Sequence, residues 1–204
     1  MIAVNHHWKP RDIVGGNSAL DLVNTVSGWG LAPEDWIPDI TSLLAWAQMS
    51  TVLNRSEKDE AACLAKSFPV ASERVLASLK ELRFALWVLT DSLEAGKPHN
   101  PAYLSVVNEW ARQLALSQQV IFKRNKLEFE FNRNVSALEL PGLRVAAAAL
   151  SLFRDPPVAR IKTCAARDCG WKFVDQSKNK SRRWCDMAVC GNSAKAKRHR
   201  ARSE

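Results

Sequence analysis

Four of the five cysteines, Cys164, Cys169, Cys185 and Cys190, fall within 27 residues of one another in the pattern Cys-x4-Cys-x15-Cys-x4-Cys. Two pairs, each suited to a tight turn and separated by a longer loop, are how a chain delivers four tetrahedral ligands to a structural zinc ion. The four-residue gap is at the long end of what such sites use, and the loop between the pairs is typical. No histidine falls between the pairs, so the site the spacing favours is all-thiolate. Three other chemistries compete. Two disulfides would suit an exported mini-domain, but the opening MIAVNHHWKPRD lacks the pattern of a secretory signal. A redox dithiol normally uses Cys-x-x-Cys. A catalytic zinc keeps one position open, which four thiolates would close. A segment this small buries too little apolar area to fold unaided, so metal binding and folding are expected to be coupled. Cys63, alone in DEAACLAKSF, is expected to be a small buried hydrophobe.

The charge is concentrated where the cysteines are. Residues 160–204 hold thirteen Lys and Arg against four Asp and Glu, a net of +9, whereas the rest of the chain nets −1 and the whole +8. A neutral domain joined to a basic one points to a polyanion as partner. Arg182, Arg183, Lys195, Lys197, Arg198 and Arg200 are the candidate phosphate contacts. Arg182 and Arg183 have a plainer alternative, offsetting the −2 charge of a tetrathiolate zinc. Trp171 and Trp184 read as the module's small core rather than as stacking platforms. The tail from Ser193 has helix formers but no apolar face, so it is expected to be exposed and to order against a partner.

The elements that must position this module are mostly helical. Helices are expected in GGNSALDLVNTV, capped by Asn17 or Ser18, in WIPDITSLLAWAQMS after Asp39 or Thr41, and in NRSEKDEAACLAKSF with Ser56 and Asp59 in capping-box spacing. Leu79, Leu82, Leu86, Leu89 and Leu93 make one apolar stripe that stops at Gly96 and Pro98. The next helix has Asn100 as cap and Pro101 at its first position, with Leu104, Val107, Ala111 and Leu114 as its buried face. Alternation then predicts one hairpin, Val120 and Phe122 against Leu127, Phe129 and Phe131, which should pack on the helices because two strands are not stable alone. A last helix, PGLRVAAAALSLFRD, runs to Pro156-Pro157, the expected boundary between domains 1–155 and 158–204. The fold class expected is mainly α (α+β), a helical N-terminal domain with one β-hairpin plus a small treble-like zinc module.

The cysteine segment resembles the CGNR-type zinc finger. The resemblance rests on Arg182, Arg183, Trp184, Cys185, Met187, Cys190, Gly191, Asn192 and Lys195, and upstream on Cys164, Cys169, Trp171, Phe173, Asp175 and Ser177. Ser193 stands where the family usually has arginine. The N-terminal part is similar to the alpha-rich ABATE domain through Gly15, Gly16, Leu20, Asp21, Asn24 and Thr25. The resemblance implies a bacterial, stress-induced transcription regulator with one structural zinc.

The function expected is therefore a zinc-dependent, cytoplasmic, DNA-binding transcription regulator whose N-terminal domain senses a ligand or mediates oligomerisation, such as a homodimer. The alternative is an RNA- or ribosome-associated binding module. Catalysis is not expected, since GGNSALDLVNT lacks the glycine pattern of a phosphate loop and no Ser–His–Asp set is apparent. No apolar run is long enough to span a membrane. Asn17, Asp21 and Asn24, with Thr25 at the border, form a polar stripe at helical spacing: either a solvent face or internal capping network, or the wall of a small-molecule pocket.

Overall fold

The computed structural model describes residues 1–29, 31–154 and 160–200. The diproline boundary and Arg202 lie outside the described residues, as do the side chains of Arg198 and His199. Local capping chemistry sets most helix starts. Asn17 accepts the Ala19 amide at 2.8 Å to open α1 (Ser18–Val23), and Asp39 accepts the Ser42 amide at 2.7 Å to open α2 (Ile40–Met49). The box of α3 (Arg55–Ser67) is formed by Asn54 and Glu57 rather than by Ser56 and Asp59. Asn followed three residues later by Glu satisfies both orphan amides, which the shorter Asp does less well.

The long helix α4 (Pro69–Ala95) is the spine. It packs against α1, α2, α3, α5 (Pro101–Ser117) and α6 (Leu140–Arg154). Leu79, Leu82, Leu86 and Leu89 are buried in the core with Trp46, Val107, Trp110 and Leu114. Leu93, by contrast, is exposed, and with Leu104 and Phe153 it lines an open apolar pocket of α4, α5 and α6. Leu104 is exposed as well, and Trp110 supplies the buried area that Leu104 and Ala111 were expected to give α5. Cys63 is also exposed, since α3 turns that face to solvent and buries Ala61. No described helix is long and apolar enough to cross a membrane.

Three two-residue strands, β1 (Ile2–Ala3), β2 (Val26–Ser27) and β3 (Glu34–Asp35), form a small sheet in the order β1-β3-β2. Its anchor is Asp35, which accepts from Arg83 at 2.7 Å and lies 2.8 Å from Lys80 Nζ. Burial pushes this carboxyl up, but the Arg83 and Lys80 cations outweigh it and hold the pKa down at about 2. The hairpin of β4 (Gln118–Lys123) and β5 (Lys126–Phe131) has the expected pairing, with Val120 opposite Phe129 and Phe122 opposite Leu127. It does not lie on the helices: those four side chains are exposed.

The cysteine segment folds as the antiparallel pair β6 (Ile161–Thr163) and β7 (Lys172–Val174), a π-helical turn at Met187–Gly191, and α7 (Asn192–Arg200). It shares apolar cores with the helices. Ile161 and Val174 pack with Leu20 and Leu152. Val14 and Trp36 cover the cluster of Cys164, Trp171, Phe173 and Cys185.

Candidate metal centre

The four cysteine sulfurs lie within 4.8 Å of one another. Cys185 Sγ is 3.6 Å from both Cys169 Sγ and Cys190 Sγ. A disulfide needs about 2.05 Å, so these are free thiols. A tetrahedral zinc with Zn–S bonds of about 2.3 Å requires sulfur–sulfur edges of about 3.8 Å, and the two edges at Cys185, 3.6 Å each, are close to that. The crowding is unfavourable without a cation. Contact with Cys169 pulls the Cys164 thiol far down, while contact with Cys164 pushes Cys169 and Cys185 far up. The four side chains hold one structural Zn²⁺, whose charge permits all four to be thiolates.

Turn geometry brings the pairs together. The Cys164 amide donates to the Trp171 carbonyl at 2.8 Å, closing the first knuckle on the β6–β7 pair. Gly170 has φ +70, and a Cβ there would meet Trp29 Cβ at 2.9 Å, so both its conformation and the close approach call for glycine. Gly191 is not left-handed, and a Cβ there would meet only the Met187 side chain, 2.5 Å from its Sδ, which is exposed and free to move aside. The Ala165 amide donates to the Arg183 carbonyl at 2.8 Å and ties the first knuckle to the segment entering the second.

Asp175 organises the loop between the pairs. Its carboxylate accepts from Lys162 Nζ (2.6 Å), the Ser177 amide (3.0 Å) and hydroxyl (2.6 Å), and the Arg182 amide (3.0 Å). Burial opposes ionisation, but the Lys162 and Ser177 contacts prevail and hold this carboxyl well below the usual range. Arg182 turns inward. Its guanidinium stacks 4.3 Å from the Phe173 ring and donates to the Cys185, Trp184 and Val14 carbonyls. Trp171 is buried and donates to the Val26 carbonyl at 3.0 Å, and Trp184 is half-buried.

The helical part completes the module's strands. Asn24 Nδ2 donates to the Lys172 carbonyl and Asn24 Oδ1 accepts the Lys172 amide, both at 2.8 Å, so one side chain mimics a neighbouring strand for β7. On the same strand the Val174 amide donates to the Gly15 carbonyl at 2.8 Å. The Lys172 side chain is itself fully buried. Its ammonium reaches Asp91 (2.8 Å) and Glu94 (3.3 Å) on α4 and Thr163 Oγ1 (2.7 Å). Glu94 also accepts the Thr163 amide at 2.9 Å. The rest of the polar stripe faces the protein. Asn17 Nδ2 donates to the Ala148 carbonyl, Asp21 accepts the Gly15 amide at 2.8 Å, and Thr25 Oγ1 donates to the Leu22 carbonyl while accepting from Arg83. Burial raises the Asp21 pKa to about 6, against the pull of the Gly15 and Val14 amides.

Among the basic candidates, Arg183, Lys195, Lys197 and Arg200 are exposed. Lys197 pairs with Asp168 at 2.9 Å, and Arg183 lies over Trp184 at 5.4 Å. Arg167, Lys178 and Lys180, not singled out from sequence, are exposed cations of the same module. Lys172, Asp91 and Glu94 were also unread. Their joint role depends on residues 81 and 78 positions apart, which no local pattern reports.

Two outcomes follow. Asn24→Ala leaves the buried amide and carbonyl of Lys172 unpaired and should destabilise the zinc-loaded protein by about 3 kcal/mol in urea unfolding. Asp21 has a folded pKa raised above its unfolded value, so its contribution is full below about pH 4 and is lost as pH rises through about 6. The stability difference between Asp21→Asn and the parent should therefore shift by about 2 kcal/mol in the variant's favour from pH 4.5 to pH 8.

No curated protein matches the chain. Two family models do: a CGNR zinc finger over residues 160–203, and ABATE, described as "Putative stress-induced transcription regulator", over residues 16–156. The second spans more than half of the sequence, and the first encloses all four cysteines. The chain belongs to the ABATE family and carries a CGNR zinc finger after its ABATE domain.

Proposed function

We propose that the zinc finger docks on duplex DNA and that residues 1–155 hold it there as a regulator's body. The observation carrying this reading is how the module's cations divide. Lys162, Lys172 and Arg182 are turned into its interior, whereas Arg183, Lys195, Lys197 and Arg200 stay in solvent on a scaffold fixed by the metal. Helix α7 begins two residues after Cys190, so the zinc ligand set fixes where this cationic helix starts. Its composition, NSAKAKRHR, offers no apolar face for a core. Exposed Lys and Arg on a rigid support neutralise phosphates and release counterions, which makes binding strongly salt-dependent.

Arg182, with four inward contacts, serves the metal turn in this reading, and the phosphate contacts fall to Arg183, Lys195, Lys197, Arg198 and Arg200. Within the stripe Asn24 alone clasps the finger, while Asn17, Asp21 and Thr25 bond the helical part, so these polar groups serve the fold rather than a ligand pocket. The role is binding without catalysis, in the cytoplasm, and DNA is preferred to RNA.

Fluorescence anisotropy on labelled mixed-sequence duplex at two salt concentrations tests this. The full chain should bind with a steep salt dependence. The Lys195→Ala/Arg200→Ala double variant should lower the slope of log K against log salt by about 2. Cys185→Ser, with zinc content measured alongside, should lose metal and binding together. Unchanged binding by either variant, or displacement of DNA by structured RNA at equal concentration, contradicts the reading.

A further inference from the structure

The β4–β5 hairpin presents an apolar face that the chain leaves in solvent. Its turn residues, Arg124 and Asn125, have φ of 49° and 63°, the left-handed pair that matches the twist of a two-residue hairpin and fixes its register. In that register Val120 stands beside Phe129 and Phe122 beside Leu127 on one face, at 57, 73, 70 and 74% exposure respectively. The charged residues Lys123, Lys126, Glu128 and Glu130 alternate onto the other face, where Lys123 and Glu130 pair at 2.8 Å. Only at the base does this row return to the body, where Phe131 packs on the main core beside Arg144.

We propose that this face is a homodimer interface, in which two copies stack hairpin against hairpin across a two-fold axis lying in the contact plane. Area is the first reason. A whole aromatic side chain offers roughly 150–250 Å², so the four exposed side chains come to about 500 Å², at the upper end for the largest apolar patch of a monomer. Two such faces closed on each other remove about 1,000 Å² from water, the lower bound for a specific interface, which fits a reversible dimer. Leu116, exposed in the last turn of α5 two residues before β4, adds a further apolar side chain near the hairpin's base.

Self-complementarity is the second reason. An in-plane two-fold along the strands sets Val120 of one copy against Phe129 of the other, and Phe122 against Leu127. An axis across the strands sets Val120 against Phe122, and Leu127 against Phe129. Either way each phenyl meets an aliphatic side chain, the large-against-small arrangement that packs without voids. The four exposed positions carry no charge for a polyanion, and Arg144 at the base is already paired with Glu57, so nucleic acid is not the occupant. The dimer does not depend on DNA binding, and its test contains no DNA.

Sedimentation equilibrium of the zinc-loaded full chain across the micromolar range reads the mass directly. The expected result is a rise from monomer toward twice that mass. Phe122→Glu/Phe129→Glu should stay monomeric at every concentration with unchanged zinc content and helical circular dichroism, whereas Glu128→Gln on the opposite face should still dimerise. A parent protein that stays monomeric throughout overturns the proposal, including one whose hairpin instead binds lipid vesicles. So does a dimer that survives the double substitution.

Discussion

Four thiols cannot stay within 4.8 Å of one another as thiolates unless a cation sits among them. That constraint governs the last quarter of the chain. The β6–β7 pair is three residues long on each side, and its own cluster buries little beyond Trp171 and Phe173. Zinc supplies what apolar burial does not, and in doing so sets the start of α7 and the places of the exposed cations. The interior polar groups, Asp175 with Lys162 and Arg182 over Phe173, then fix the long loop between the ligand pairs.

The metal alone does not complete the module. Asn24 supplies β7 with the hydrogen-bonding edge of an absent strand, and Asp91 and Glu94 receive a lysine with no exposed surface. The ammonium is buried but Asp91 and Glu94 reach solvent, so these carboxylates are what allow the lysine to stay charged there, with solvent screening part of the attraction. The finger and the helical domain are therefore one mechanical body at this seam, through contacts that begin on α1 and α4. Movement of α4 relative to α1 would reach β7 directly.

Much of this was legible because it is local. Asn17, Asp39 and Asn100 cap the helices that begin beside them, and the cysteine spacing carries its ligand geometry within 27 residues. The hairpin's register followed from alternation, but alternation tells only that one face is apolar and not what covers it. The same limit explains Cys63 and Leu104, whose types suggest burial while their helices turn them outward. Two-residue strands such as β1 and β3 have no period to read. The stripe at Asn24 was visible as a pattern, and its target, the backbone of a residue 148 positions away, was not.

Zinc-edge X-ray absorption on the purified full chain addresses the ligand set without any assay of function. One zinc per chain surrounded by four sulfur scatterers at about 2.3 Å is the expected spectrum. A nitrogen or oxygen in the first coordination sphere, or sulfurs joined at disulfide distance with no metal, would contradict a tetrathiolate staple and remove the support on which the cationic surface stands.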